Sequence, residues 1–310
     1  MEGNLMSELK GKTAIVTGAA VGLGNAYAMA LAKNGVNLAV CDIRPEIEQV
    51  GDELSGIGVS CMASIGDVSD PEFVKHFVDS TKSRFGQINI LINNAGVWGA
   101  SVADDGMEKT LEDYEKIVGT NLKGEFLFGR AVIPIMIEQR KGGDIINIAT
   151  DHMVTCGTPY YYCEGNSGCP HQGDPHDLGN IGGGPRPTGG GDAMDLYDAS
   201  KWALNGLLYG WAKALREHRI RVNALCMGAT DSYMLRSFHD FNPSDEEVSQ
   251  WMRAEDNAEV LIGILKEGVN GRNAQNHQFC MGRKVALESP RPQIYVLEDD
   301  VRLGGHSNVG

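Results

Sequence analysis

The sequence predicts an α/β fold in which a doubly wound parallel sheet forms a single domain. Three observations support this prediction. Apolar, β-branched segments alternate with segments rich in helix formers, a glycine-rich turn follows the first apolar segment, and an acidic residue closes the second. Strands that alternate with helices favour parallel pairing with right-handed crossovers. We expect the domain to cover 8–282 and a C-terminal tail to cover 283–310.

Each element is predicted from its own pattern. The strand at 13–17 (TAIVT) is apolar and β-branched, and the helix after it is predicted to end at Gly35. The Asp70-Pro71 pair favours a helix start. The other segments are predicted as strands at 37–41, 59–66, 88–92, 144–149 and 221–226 and as helices at 72–85, 111–139 and 199–217.

Composition limits the classes of partner. Hydrophobic residues make up 42% of the chain and charged residues 22%, as in ordinary globular proteins. The net charge of −14, with no long basic run, argues against nucleic acid and against an anionic membrane surface. The first residues do not resemble a secretory signal, and no apolar run approaches the ~20 residues that span a bilayer. Seven cysteines, an odd number, suit reduced thiols, so we expect a cytoplasmic protein.

A glycine turn lies between the first strand and the first helix. The segment TGAAVGLG, from Thr17 to Gly24, allows backbone N–H groups at a helix start to approach a phosphate, although a plain tight turn is the alternative. Asp42 ends the second strand about 20 residues after Gly22, the spacing of the Rossmann dinucleotide site. Its carboxylate can accept ribose hydroxyls and repel a 2′-phosphate, which favours NAD. Arg44 argues for a 2′-phosphate, and a solvated loop acid is the other interpretation of Asp42.

Tyr197 and Lys201 are four residues apart, so a helix places them on one face. A nearby ammonium group stabilises phenolate and lowers the tyrosine pKa from its ordinary value near ~10. Such a phenol can act as a general acid/base on a carbonyl oxygen. Taken alone, this pair favours an ordinary helix face.

Together, the motifs resemble the short-chain dehydrogenase/reductase family, in its shorter, single-domain branch, over about residues 10–235. The matching segments are Thr17-Gly18-x3-Gly22-x-Gly24, Asp42, Asp67-Val68, Asn93-Asn94-Ala95-Gly96, Asn121 in TNLKG, 145–150, Tyr197-x3-Lys201 and Arg221-Val222-Asn223-Ala224. The resemblance implies an NAD(H)-dependent oxidoreductase that interconverts a secondary alcohol, cyclic alcohols included, and a ketone. It also implies a homotetramer or homodimer, and no metal is expected.

The resemblance assigns site residues. The implied catalytic set is Asn121, Thr150, Tyr197 and Lys201. The implied NAD-binding set is Thr17, Gly18, Gly22, Leu23, Gly24, Asp42, Asp67, Val68, Asn94, Ala95, Gly96, Tyr197, Lys201, Gly228 and Ser232. By this resemblance Asp67 and Val68 flank the adenine, Asn94 stabilises the sheet, Asn121 positions a water and Ser232 contacts the nicotinamide amide. Sheet packing for Asn94 and capping for Asn121 are the simpler alternatives.

The chain departs from the family pattern at three places. Thr150 stands where the family has serine, which keeps a hydroxyl donor but restricts its rotamers. Met227-Gly228 stands where the family has Pro-Gly. Residues 154–193, rich in Gly and Pro, form a long inserted loop before Tyr197 that is expected to lie over the active-site mouth.

The inserted loop and the segment after the last predicted strand have several interpretations. Cys163, Cys169, His171 and His176 are possible zinc ligands, but their spacing matches no standard finger, and a lid or partner-contact role is favoured. Tyr160, Tyr161 and Tyr162 suit an aromatic wall or anchors for the loop, and His152 suits substrate contact or a structural hydrogen bond. Residues 232–255, which include Tyr233, Phe238, Phe241 and Trp251, are predicted to form a substrate lid, with plain helix packing as the alternative.

Two functional alternatives remain open from the sequence. One is a cofactor-binding sensor or scaffold protein without turnover, and the other is a cyclic diol dehydrogenase. The first draws on the threonine at position 150 and on the insertion. The retained tyrosine and lysine argue against it.

Overall fold

The computed structural model describes residues 9–150 and 194–279. Its strands are β1 Thr13–Thr17, β2 Asn37–Asp42, β3 Cys61–Ile65, β4 Ile90–Asn93, β5 Gly143–Ile148, β6 Ile220–Met227 and β7 Asn276–Phe279. Within that part of the chain, the strands form one parallel sheet in the order β3-β2-β1-β4-β5-β6-β7. The chain winds outward from β1 and then outward again from β4, which confirms the predicted doubly wound sheet.

Helices cover both faces of this sheet. They are α1 Gly22–Lys33, α2 Ile47–Gly56, α3 Pro71–Phe85, α4 Met107–Val118, α5 Glu125–Gln139, α6 Asp195–Ala214, α7 Tyr233–Ser237, α8 Asp245–Ser249 and α9 Ala254–Lys266. The predicted start of α3 is confirmed, because Asp70 accepts a hydrogen bond from the Glu72 N–H at 2.9 Å and Pro71 occupies the first turn.

Each face of the sheet carries a hydrophobic layer. Val16 lies in the layer formed with α1, α2 and α9, whereas its neighbour Ile15 lies in the layer formed with α3, α5 and α6. Tyr27 and Phe128 are among the largest fully buried side chains of the two layers. Burial of a side chain of this size contributes about 1.5–3 kcal/mol. The two layers hold the strand ends, where the candidate site lies, in fixed positions.

Two predicted helices differ from the observed ones. The helical stretch predicted over 111–139 is helical throughout but is not one regular α-helix, because a π-helical turn, Gly119–Gly124, joins α4 to α5 and contains Asn121. Such turns frequently mark functional sites. The helix predicted over 199–217 begins earlier, so that Tyr197 lies in the first turn of α6.

Beyond the last predicted strand, the described residues contain α7 and α8, both within the predicted lid at 232–255, followed by α9 and β7. The proposed insertion at 154–193 and the tail at 283–310 lie outside the described residues. Their predicted roles therefore stay predictions.

Candidate active site

The glycine turn lies at the point where the strand order reverses, between β1 and α1. Gly18 has a φ of +63°, and a Cβ there would lie 2.8 Å from the Cα of Ala95, so only glycine fits. A Cβ on Gly24 would overlap the carbonyl oxygen of Gly18. Leu23 and Gly24 lie in the first turn of α1, where N–H groups without an intrahelical partner attract anions. This close backbone packing is what a phosphate-binding turn requires.

Thr17 and Asn94 fasten this turn to the end of β4. The Asn94 side chain donates to the carbonyl oxygens of Thr17 and Gly18, both at 2.9 Å. The Thr17 hydroxyl accepts hydrogen bonds from the backbone N–H groups of Asn94 and Ala95, both at 3.0 Å. Because Thr17 is only 2% exposed, its side chain supports the turn from inside. Asn94 thus joins the ends of β1 and β4.

Asp42 ends β2 beside the same turn. Its Oδ2 accepts from the Ala20 N–H and its Oδ1 from the Arg44 N–H, both at 3.0 Å. A carboxylate has about four lone-pair sites, so acceptor capacity is left for ribose hydroxyls. The Arg44 guanidinium lies 4.1 Å from the ring centre of Tyr233 and 3.6 Å from the Glu46 carboxylate. Arg44, whose charge would favour a 2′-phosphate, therefore already contacts two other side chains of the protein.

Asp67 and Val68 follow β3 at the same edge of the sheet. Asp67 is exposed, and its Oδ1 accepts from the Ser69 N–H at 2.8 Å. Val68 is buried and packs closely on Gly124. A Cβ on Gly124 would lie 2.7 Å from the Cγ2 of Val68. Val68 therefore connects the predicted adenine pocket with the π-helical turn.

Gly228 and Ser232 lie beyond the end of β6. The carbonyl oxygen of Gly228 accepts from the Thr230 hydroxyl at 3.0 Å. The Ser232 hydroxyl caps α7 by accepting from the Leu235 N–H at 3.2 Å. A Cβ on Gly22 would lie 3.6 Å from the Cβ of Ser232, so this serine lies against the glycine turn. The first residue of the predicted lid therefore reaches the predicted cofactor site.

Asn121 is completely buried in the π-helical turn. Its Oδ1 accepts from the Val97 N–H at 2.8 Å, and its Nδ2 donates to the Val97 carbonyl oxygen at 2.9 Å and to the Ser200 hydroxyl at 3.1 Å. The amide ties the segment after β4 to α6. A Cβ on Gly96 would lie 3.4 Å from Asn121 Oδ1 and 3.6 Å from Lys201 Nζ, so these three residues are neighbours.

Lys201 lies at the carboxyl end of β5. Its ammonium group donates to the carbonyl oxygen of Ile148, the last residue of that strand, at 2.7 Å. Thr150 is buried two residues further along the chain, and Tyr197 lies one helical turn before Lys201. The structure thus brings Lys201 together with Asn121 and Gly96 at the edge that holds the glycine turn.

Glu125 is a site residue that the sequence reasoning missed. It is the first residue of α5, it is 3% exposed, and its Oε1 lies 3.7 Å from Lys201 Nζ. Burial raises the pKa of the Glu125 carboxyl to about 8, against the opposing effect of Lys201. Burial likewise lowers the pKa of Lys201, and Glu125 opposes that shift. One feature of the sequence could have identified Glu125: it is an acidic residue, one turn after Asn121, at the start of the largely apolar stretch EFLFGRAVIPIMI.

Trp98 is a second residue that the sequence reasoning missed. It follows the Asn93–Gly96 segment, and its ring centre lies 4.4 Å from that of Phe238 in the predicted lid. Its indole Nε1 is buried and has no hydrogen-bond partner among the described residues. In the same lid, Tyr233 and Phe241 have ring centres 4.8 Å apart. The lid aromatics therefore contact both Trp98 and Arg44.

Several predicted features lie outside the described residues, namely the possible zinc ligands Cys163, Cys169, His171 and His176, the tyrosines 160–162 and His152. Within 9–150 and 194–279, no three or more His, Cys, Asp or Glu side chains are arranged to hold a metal ion. None of the helices in those two ranges combines the length and the apolar character needed to cross a bilayer.

Comparison with known proteins yields consistent matches. The family model described as short chain dehydrogenase matches residues 12–160 and 188–242. Oxidoreductase UcpA of Escherichia coli is 33% identical over 245 residues, 78% of each chain. Galactitol 2-dehydrogenase of Agrobacterium fabrum is 31% identical over 72% of each chain. A crystal structure of a short-chain type dehydrogenase/reductase from Mycobacterium marinum shares the fold, with a TM-score of 0.71, 24% identity, and coverage of 90% of this chain and 97% of that one.

Proposed function

The chain belongs to the short-chain dehydrogenase family and is an oxidoreductase, and we propose that it transfers a hydride between NAD(H) and a secondary alcohol or the corresponding ketone. One observation carries the proposal. Lys201 is anchored to the end of β5, one helical turn from Tyr197 and beside Asn121, at the same sheet edge as the glycine turn. A cation and a phenol one helical turn apart, where the ligands of doubly wound sheets bind, support this proposal.

The reaction needs a group that moves a proton and a group that holds the substrate oxygen. In oxidation, the Tyr197 phenolate takes the proton of the alcohol. The Lys201 ammonium favours the phenolate because an opposite charge nearby stabilises the charged form. The Thr150 hydroxyl donates a hydrogen bond to the same substrate oxygen. Bound NAD supplies the acceptor for the hydride. Reduction runs through the same groups in reverse.

The turn and Asp42 fit NAD. Gly18 and Gly24 leave no room for side chains, which lets a pyrophosphate approach the backbone at the start of α1. The Asp42 carboxylate accepts ribose hydroxyls and opposes a 2′-phosphate. Arg44 is the residue that argues for a 2′-phosphate, and its contacts with Tyr233 and Glu46 support the preference for NAD because they engage its guanidinium within the protein.

Proton release is assigned to a water held at Asn121. The side-chain Nδ2 donates to Val97 and Ser200, whereas Oδ1 accepts one bond, from the Val97 N–H, and keeps a lone pair for a water. The same side chain also fixes the π-helical turn relative to α6. From the water, the relay runs through Lys201 to Tyr197.

The substrate class is a secondary alcohol, with cyclic alcohols and diols included. The pair formed by Trp98 and Phe238 offers an apolar wall, and the buried indole N–H offers a donor for a substrate oxygen. A relative named galactitol 2-dehydrogenase supports a secondary hydroxyl as the reacting group. The ring of a cyclic diol would pack on Trp98 and Phe238, and one of its hydroxyl oxygens would accept from the Trp98 indole N–H.

The test is NADH formation by the purified protein with a panel of linear and cyclic secondary alcohols, run in parallel with NADP⁺. We expect turnover with NAD⁺ and its loss in Tyr197→Phe. Tyr209→Phe, an exposed tyrosine on the same helix, is the matched control and should keep full activity. Full activity of Tyr197→Phe would overturn the mechanism. Nucleotide binding without turnover on any alcohol or ketone would favour the sensor or scaffold alternative.

We also propose that the protein forms a homodimer or homotetramer. Leu111 and Tyr114 are large apolar or aromatic residues left exposed on α4, which packs against α6. Exposed patches of this kind mark association sites. Light scattering of the wild type and of a Leu111→Glu variant measures the mass directly, and a monomeric wild type would refute the proposal.

The proposed location is the cytoplasm. Cys41 and Cys61 are buried free thiols, which suits a reducing compartment. Fractionation of cells that express the tagged protein is the corresponding measurement.

A further inference from the structure

We propose that Glu125 is a positioning residue of this active site, which shares a proton with Lys201 and thereby sets the charge that Tyr197 experiences. The inference rests on the proposed oxidoreductase function and extends it to a residue outside the implied catalytic set. Its foundation is geometric. The Glu125 carboxylate and the Lys201 ammonium lie 3.7 Å apart, and their side chains are 2% and 5% exposed.

The surroundings of Glu125 isolate it from other donors. Among the described residues, neither carboxylate oxygen has a hydrogen-bond partner within 3.5 Å. A buried carboxylate without donors is costly, whereas a carboxylic acid or a closely paired anion is tolerated. Glu125 is therefore ready to exchange a proton with Lys201 beside it. Burial acts in the same direction, since it raises the pKa of Glu125 and lowers the pKa of Lys201.

The backbone explains why this side chain points inward. Glu125 follows the π-helical turn directly, and Gly124 lies against buried Val68. The inserted residue of a π turn rotates the following helix relative to the preceding one. As a result, the residue one turn after Asn121 reaches Lys201.

Few other titratable groups face the pair. From β6, the Cys226 thiol acts on Lys201 and raises its pKa, a smaller effect than that of Glu125. From α6, Tyr197 lies one turn away on the same helix face. Asn121 and Ser200 contribute uncharged groups. Removal of the Glu125 charge therefore leaves the Lys201 ammonium without its carboxylate partner.

The consequence for the reaction has a definite sign. A carboxylate at this distance keeps Lys201 protonated, and protonated Lys201 lowers the pKa of Tyr197. In Glu125→Gln, the buried ammonium is harder to maintain, so Tyr197 ionises at higher pH. We expect the acid limb of the pH profile for alcohol oxidation to move upward by about one unit. Glu125→Asp, which restores a carboxylate, should move it less.

The experiment measures kcat/KM against pH for the wild type and the variants Glu125→Gln, Glu125→Asp and Glu112→Gln. Glu112 is an exposed acid on α4 and serves as the matched control. An alkaline shift in Glu125→Gln that Glu125→Asp partly restores supports the inference. Coincident profiles in an active enzyme overturn it. NADH binding and thermal unfolding establish that each variant is folded.

A second readout does not depend on turnover. Infrared difference spectra across the range around pH 8 should show the carbonyl band of a protonated buried carboxylic acid. The band should be absent from Glu125→Gln and present in Glu112→Gln. If no substrate is turned over, the proposed function fails, and this band alone decides whether Glu125 holds a proton. A wild type without the band contradicts the inference.

Discussion

Two buried ion pairs lie at opposite edges of the same sheet. At the carboxyl edge, Lys201 and Glu125 are 3.7 Å apart. At the amino edge, Arg221 near the start of β6 and Asp144 near the start of β5 are 2.6 Å apart. All four side chains are less than a tenth exposed, so burial does not distinguish the pairs.

What distinguishes the pairs is the number of other bonds that hold the cation. Arg221 also donates to the carbonyl oxygens of Ile264 at 2.9 Å and Arg272 at 3.2 Å, and it lies 3.5 Å from Glu267. Among the described residues, Lys201 has one further bond, to the carbonyl oxygen of Ile148. A guanidinium cannot lose its proton in a protein, whereas a lysine or glutamate can. The amino-edge pair is thus suited to fix the structure and the carboxyl-edge pair to move protons.

The largest effect is expected when Lys201 is replaced by methionine. Loss of the ammonium group removes the stabilisation of the Tyr197 phenolate, and we expect kcat/KM for alcohol oxidation to fall by ~10²–10⁴. Thermal unfolding should change little, because Glu125 can remain as a neutral acid. Lys213→Met, an exposed lysine on α6, is the control. A large loss of stability with normal turnover would mean that the Lys201–Glu125 pair, like the Arg221–Asp144 pair, mainly stabilises the fold.

The reciprocal change is Arg221→Met at the amino edge. It leaves Asp144 buried without its cation, and breaking such a pair costs about 3–5 kcal/mol of unfolding free energy. Turnover per folded molecule should match that of the wild type. Urea unfolding and active-site titration measure the two quantities, and Arg216→Met, an exposed arginine, is the matched control. A change in kcat with unaltered stability would contradict the structural role assigned to the amino-edge pair.

Much of the carboxyl edge could be predicted from the sequence. The segments at 13–17 and 144–149 are rich in apolar and β-branched residues, so a buried strand is predicted at each from composition. Asp42 closes the second apolar segment, and the four-residue spacing of Tyr197 and Lys201 puts them on one face of a helix that contains both. Each of these signals is local, so the sequence alone reveals it.

Other features depend on distant contacts. The π-helical turn around Asn121 is held by hydrogen bonds to Val97 and Ser200. These residues are distant in sequence, so the hydrophobic periodicity of 111–139 does not predict the turn. Glu125 sits in an apolar run whose spacing does not reveal which face meets Lys201. Strand β7 is the short polar segment NHQF, and it becomes a strand because it pairs with β6, where Leu225 is opposite His277.

Asp42 offers a smaller test, confined to the carboxyl edge. Asp42→Ala removes the carboxylate that opposes a 2′-phosphate, so the ratio of kcat/KM for NADP⁺ to that for NAD⁺ should rise by at least tenfold, about 1.4 kcal/mol. Glu48→Ala, an exposed acid in the neighbouring helix α2, should leave the ratio unchanged. A ratio that stays constant in Asp42→Ala would place coenzyme selection elsewhere, and stability should be affected less than in Arg221→Met.

The smallest expected effect concerns His277 in β7, near the amino-edge network. Burial, reinforced by the charge of Arg272, lowers the pKa of His277 to about 4 from its ordinary 6.5. A histidine held neutral in the folded state stabilises it above pH 6.5, and this contribution is lost as the pH falls through about 4. The unfolding free energy of His277→Asn should therefore fall less between neutral and acidic pH than that of the wild type. His76→Gln, at an exposed histidine on α3, should follow the wild-type curve. Parallel curves for all three proteins would show that acid sensitivity does not arise at this end of the sheet.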